Sequence, residues 1–233
     1  MKYSETKGRV GAAKYLTPLI DSKPQLIQAA SSTNGPASRG GAIFLDRDGV
    51  INALRPGYVT GWHEFQFLPG ALAAIRQLSL LDWPIVVATN QSAVGRGLLS
   101  ADGLAEIHRR MVAGVENASG RIDLIVHGPH MPEDGCICRK PEPGLFHDAA
   151  ERLNVTLTES YFVGDTVGDL GAAQQLGMTF VLVRTGLGVM SLAEQPVLAG
   201  QADWLADSIT DASQWILERE GAVVETRPER QAA

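Results

Sequence analysis

The sequence predicts an α/β fold, a doubly wound parallel sheet with helices on both faces. Three observations predict it. Short, continuous apolar runs recur along the chain, and continuous rather than alternating runs mark strands that are buried on both faces. Segments of helical period lie between them, and regular alternation of strand and helix builds a parallel sheet. Several of the runs end abruptly in polar residues, at the carboxyl ends of strands where an open α/β sheet binds its ligands.

The first run, Ala42-Ile43-Phe44-Leu45, ends in Asp46-Arg47-Asp48-Gly49. Gly49 permits a turn that brings the two acids together. Carboxylates so close raise one another's pKa unless a cation lies between them, and Mg²⁺ favours such an oxygen set. An acidic strand-end turn without chemistry is the alternative. Ala53 to Leu68 reads as a loop. Pro69-Gly70 opens an amphipathic helix to about Leu80, with Leu72, Ile75 and Leu78 on one face.

A second strand over Pro84 to Ala88 ends in Thr89-Asn90-Gln91-Ser92. A glycine-bearing loop follows, and Ser100 caps a helix to about Val115. A third strand over Ile122 to Val126 leads into an irregular loop, Gly128 to Pro143. Gly144 to Leu153 reads as helix, Tyr161 to Val163 as a fourth strand ending in Gly164-Asp165, and Leu170 to Leu176 as helix. Met178 to Val183 is a fifth strand, and Asp211 to Glu220 a closing helix. Only about two dozen residues separate Asp46 from the first helix, which is a loop rather than a lid domain.

The chain has 233 residues, 45% hydrophobic and 20% charged, enough for one α/β domain with extensions. The net charge of -6, without Lys/Arg blocks, argues against nucleic acid as a partner. No apolar run is long enough to span a bilayer, and no secretory signal is read at the N-terminus. A cytoplasmic monomer acting on a small molecule is expected. Residues 1–40, with Pro18, Pro24 and a Ser/Gly/Pro-rich linker, read as a disordered extension. The domain covers 41–221, and 222–233 reads as a loose tail.

The polar groups fall one set to a strand end: Asp46 and Asp48, then Thr89 and Asn90, then the Arg139-Lys140 loop, then Asp165 and Asp169. Each has a plain reading by itself. Thr89 and Asn90 can simply end a strand, Lys140 can be a solvated lysine, and Asp169 can complement a helix dipole. In this order they resemble the four motifs of the haloacid-dehalogenase (HAD) superfamily of phosphohydrolases, whose fold is Rossmann-like. The resemblance implies Asp46 as the nucleophile that forms an aspartyl-phosphate and Asp48 as the acid and base. It implies Mg²⁺ held by Asp46, the Asp48 backbone carbonyl and Asp165, with Asp169 in support. Thr89, the Asn90 amide and Lys140 would hold the phosphoryl oxygens.

A narrower resemblance, covering about Gly41 to Asp207, rests on Asp46 to Asn52, Gly57-Tyr58-Val59, Thr89 to Ser92 with Gly95-Arg96-Gly97, and Cys136 to Gly144. These look like the heptose-bisphosphate phosphatases and the related histidinol-phosphate phosphatases, a branch without a separate cap domain. The resemblance implies substrate contacts from Arg96 and from Arg139, whose guanidinium fork suits a second phosphate. A phosphate-binding scaffold without catalysis is the reading from another class; it sits poorly with the presence of both Asp46 and Asp48.

The loop before Lys140 carries a second question. His130, Cys136 and Cys138, with His127 just ahead, suit a structural tetrahedral Zn²⁺, and a loop without metal is the alternative. The resembling families bind zinc here through Cys-x-His and Cys-x-Cys, but Gly128 occupies the place of the first cysteine. His127 is then the candidate fourth ligand, although a shift of one residue turns a strand side chain to the other face. Thr166 also departs, standing where close relatives often carry lysine, and weakens the positive rim.

Overall fold

The computed structural model describes residues 40–222. The extension expected over 1–40 and the tail over 222–233 lie, all but one residue of each, outside the described residues. Six parallel strands form one sheet: β1 (Ile43–Leu45), β2 (Ile85–Asn90), β3 (Leu124–Gly128), β4 (Tyr161–Gly164), β5 (Thr179–Val183) and β6 (Trp204–Ala206), in the order β3-β2-β1-β4-β5-β6. The order reverses between β1 and β4, and a crevice opens beyond the strands at such a switch point. Asp46 and Asp165 follow those two strands directly, and Asp46 N–H donates to Val163 O at 2.9 Å.

Strand parity divides the core in two. Ile43, Leu45, Val87 and Val163 face one layer with α1 (Ala71–Leu78), α3 (Ala101–Asn117) and α7 (Ile209–Arg219). Ala42, Phe44, Ala88 and Phe162 face the other with α4 (Gly144–Leu153) and α5 (Val167–Leu176). Both faces of the sheet are therefore covered, as the continuous apolar runs predict. Among the described residues no helix is long and apolar enough to cross a membrane.

Most boundaries follow the reading above. Ser100 caps α3, its hydroxyl accepting from Gly103 N–H at 3.0 Å, and α4 spans Gly144–Leu153 as expected. The third strand starts two residues late, because Asp123 turns its carboxylate onto Ile85 N–H and Arg121 before ladder pairing begins at Leu124. α5 starts three residues early, since Thr166 and Asp169 form a capping box ahead of the expected start. The short α2 (Ser92–Gly95), α6 (Gly188–Glu194) and edge strand β6 were not expected. The loop after β1 is pinned rather than loose: Asn52 bridges Phe67, and Trp62 stacks on Phe65 with centroids 4.9 Å apart.

Candidate active site

The chain turns immediately after β1. Arg47 O accepts from Ile51 N–H and Asn52 N–H, and Gly49 sits at φ +86°, a conformation that favours glycine. This turn points Asp46 and Asp48 to different neighbours. Asp46 is 8% exposed. Its Oδ1 accepts from Arg47 N–H at 2.7 Å and lies 3.0 Å from Lys140 Nζ. Asp48 turns to Arg47, Asn52 and Gln91, which donate to it at 2.8 to 2.9 Å.

The side chains of Asp46 and Asp48 thus do not close on one cation, which corrects the picture of two carboxylates sharing an ion. Asp46 gathers instead with Asp165 and Asp169, one carboxylate oxygen of each lying within 4.8 Å of the others, all three buried. Burial, helped by the charges of Asp169 and Asp48 and opposed by Lys140, pushes Asp46 up to about 6. Burial, helped by Asp46 and Asp169, pushes Asp165 up to about 8. Asp165 Oδ2 accepts from Leu187 N–H at 2.7 Å, while its buried Oδ1 has no hydrogen-bond partner among the described residues. Three buried acids around one ammonium, with an oxygen left over, are a donor set that fits Mg²⁺.

Asp48 behaves oppositely. Burial raises its pKa, but the Arg47 charge and the hydrogen bonds from Arg47, Asn52 and Gln91 outweigh burial and hold it below the usual carboxylate range.

Lys140 reaches in from the loop after β3. Its Nζ lies 2.7 Å from Asp169 Oδ1 and donates to Ala88 O at 2.9 Å. Burial pulls its pKa down, and the charges of Asp169 and Asp46 more than reverse that pull. Its main chain is clamped by the Asn90 side chain, which donates to Lys140 O at 3.1 Å and accepts from Lys140 N–H at 3.0 Å. Thr89, 1% exposed, accepts from Gln91 Nε2 at 2.9 Å. Asp169 Oδ2 accepts from Asp165 N–H, Thr166 N–H and the Thr166 hydroxyl, so one carboxylate organises the start of α5 and faces Lys140 as well.

At the mouth, the Ser92 hydroxyl lies 3.4 Å from Tyr58 Oη. That hydrogen bond first, then the nearby charges of Arg96 and Arg139, lower the phenol's pKa. Arg139 is steadied by a bond from Nη1 to His130 O at 3.3 Å. The sequence reading missed Asn52, Gln91, Tyr58 and Ser92. Their signal was membership of the same short motifs, but which polar residue of a loop points inward depends on the turn.

His130, Cys136 and Cys138 cluster as expected, one ligand atom of each within 4.8 Å of the others. His130 Nδ1 is 2.9 Å from Cys138 Sγ, and Cys138 N–H donates to Cys136 Sγ at 3.3 Å. His127 is not a fourth member, and that expectation is corrected. Its ring packs against His108, centroids 5.6 Å apart, toward Arg47. Parity explains it: His127 shares a face with Ile125, in the α3 layer. At Gly128, a Cβ would collide with the Cys138 carbonyl, so the loop lies directly on the glycine.

A family profile described as HAD-hydrolase-like matches residues 137–212. The D-glycero-beta-D-manno-heptose-1,7-bisphosphate 7-phosphatase of Bordetella bronchiseptica is 45% identical over 152 residues, 65% of this chain and 85% of that protein. The protein of the same name from Escherichia coli is 37% identical over 183 residues, 75% of this chain and 93% of that one. A crystal structure of D,D-heptose 1,7-bisphosphate phosphatase from B. bronchiseptica, complexed with magnesium and phosphate, superimposes with a TM-score of 0.72 at 39% identity, covering 77% of this chain and 99% of that one.

Proposed function

The chain belongs to the HAD superfamily of phosphatases, and from that membership we propose that it removes the 7-phosphate of D-glycero-β-D-manno-heptose 1,7-bisphosphate. The observation that carries the proposal is Asp46 at the end of the central strand, beside Lys140 and within ligand distance of Asp165 and Asp169.

Among the described residues, the donors to Asp46 all fall on Oδ1, which leaves Oδ2 for attack. Attack forms an Asp46–phosphorus bond and breaks the bond from phosphorus to the sugar oxygen, which takes a proton from Asp48. A water then attacks the aspartyl-phosphate and yields its proton to Asp48. The phosphorus–Asp46 bond breaks, and phosphate leaves. Asp48 rests as a carboxylate, the form the second step needs. The phosphate dianion that arrives with substrate raises its proton affinity for the first.

Asp46, Asp165 and the Asp48 backbone carbonyl would hold Mg²⁺, with Asp169 behind, and the ion neutralises charge on the transferred group when bound. Thr89, the Asn90 amide and Lys140 would bind its oxygens. Arg139, Arg96 and Tyr58 would receive the second phosphate and the sugar, which supplies positive charge that Thr166, engaged with Asp169, does not. His130, Cys136 and Cys138 would hold a structural Zn²⁺, fixing the loop that carries Arg139 and Lys140. A phosphorylated sugar as substrate supports a cytoplasmic activity.

Phosphate release is measured with Mg²⁺ from the heptose bisphosphate and from histidinol phosphate. The heptose compound is expected to turn over with the higher kcat/KM by at least about tenfold. Equal or reversed rates contradict the sugar assignment, and undiminished turnover after Asp46→Asn contradicts the nucleophile.

A further inference from the structure

Arg47 stands between the two motif acids with no role yet given to it. It is 1% exposed and the largest of the fully buried side chains. A guanidinium taken out of water costs several kcal/mol unless partners replace the solvent. Its partners are few and directed. Nη2 donates to both Asp48 oxygens, at 2.9 and 2.8 Å. Nη1 lies 3.3 Å from His108 Nε2, and Nε has no partner among the described residues. Arginine only donates, so His108 must accept at Nε2 and carry its proton on Nδ1. Burial first, then the Arg47 and His127 charges, holds His108 neutral. The His127 ring closes the other side of His108.

Among the described residues, Asp48 is thus the only anion that the buried guanidinium touches, and its side chain is 24% exposed. Neighbouring side chains of an extended strand point apart, so the grip exists only because the chain turns at Arg47. We infer that Arg47, braced by His108 on α3, is a positioning residue that sets the orientation of the Asp48 carboxylate toward the leaving oxygen and the attacking water. The inference rests on the proposed role of Asp48. Lysine cannot copy the geometry, because a single ammonium does not span Asp48 and His108 as a planar fork does.

The test is a double-mutant cycle in the full chain with Mg²⁺ and p-nitrophenyl phosphate, whose leaving group needs no proton, so that the loss reports on water activation. Arg47→Met is expected to lower kcat roughly 10²-fold with KM changed less than about threefold. Added to Asp48→Asn, it should cost less than about threefold more, because the orientation it sets no longer matters. Losses that multiply, or a loss confined to KM, overturn the inference. Where Arg47→Met unfolds, the cycle is run with Arg47→Lys, which should lose roughly tenfold alone and almost nothing beside Asp48→Asn. A kcat unchanged by Asp48→Asn itself sinks the acid–base assignment instead, a separate outcome.

Discussion

Gly49 and Gly186 both crowd Asp165 Oδ2, and a Cβ on either would overlap that carboxylate. Gly186 also sits at φ +60°. Gly186→Ala therefore combines backbone strain with displacement of the acid that Leu187 N–H holds. We predict a stability loss of about 2 kcal/mol in urea melts and a weakening of Mg²⁺ affinity of roughly tenfold or more. Gly57→Ala is the control, at φ +89° with open space around it. It should cost about 1 kcal/mol and leave Mg²⁺ affinity unchanged; a parallel fall in affinity would remove the steric argument. At this scale the sequence is most legible where a strand forces the outcome. Asp46, Asp48 and Asp165 are readable because an apolar run must end before them. Arg47 is not, since nothing local says that a charged residue will be buried. For His127 the sequence already carried the objection, the alternation of strand side chains, and that alternation decides the matter because β3 runs through His127 to Gly128.

Among elements, α5 and the loop after β3 carry most of the site. Thr166-x-x-Asp169 is a capping signature, so the start of α5 was legible, yet the apolar periodicity from Leu170 drew the reading past it. α6 and β6 left a weaker trace: β6 is three residues long and its Trp204 is exposed at the sheet edge, so no buried run announces it. The loop over 129–143 has almost no periodicity, and its order rests on side chains. Cys138→Ser and His130→Ala are predicted to lose bound zinc and thermal stability together, by metal analysis and melting of purified protein. His127→Ala should keep its zinc, because that ring lies against His108. Zinc loss from His127→Ala, or none from Cys138→Ser, would contradict the three-ligand loop.

For the whole molecule, the crevice collects charge from four strand ends and lets one ion offset it. Without Mg²⁺, Asp46 at about 6 and Asp165 at about 8 bind protons that the unfolded chain, near 3.8, releases. Their contribution to stability therefore falls as pH rises from about 4 to about 8. His108 and His127, both lowered, act with the opposite sign: their contribution is lost as pH falls below about 6.5. Mg²⁺ competes with protons only at the acids, so the gain in Tm on adding it should be larger at pH about 8 than at about 5. An equal gain at both would count against the acid cluster as the Mg²⁺ site. The central claim is that Asp46 is itself phosphorylated. Turnover of the heptose bisphosphate, quenched in acid within the first cycle and mapped by peptide mass spectrometry, should show one phosphoryl group on the peptide containing Asp46, and none in Asp46→Asn. Phosphate released at full rate with Asp46 unmodified at every quench time would contradict the account.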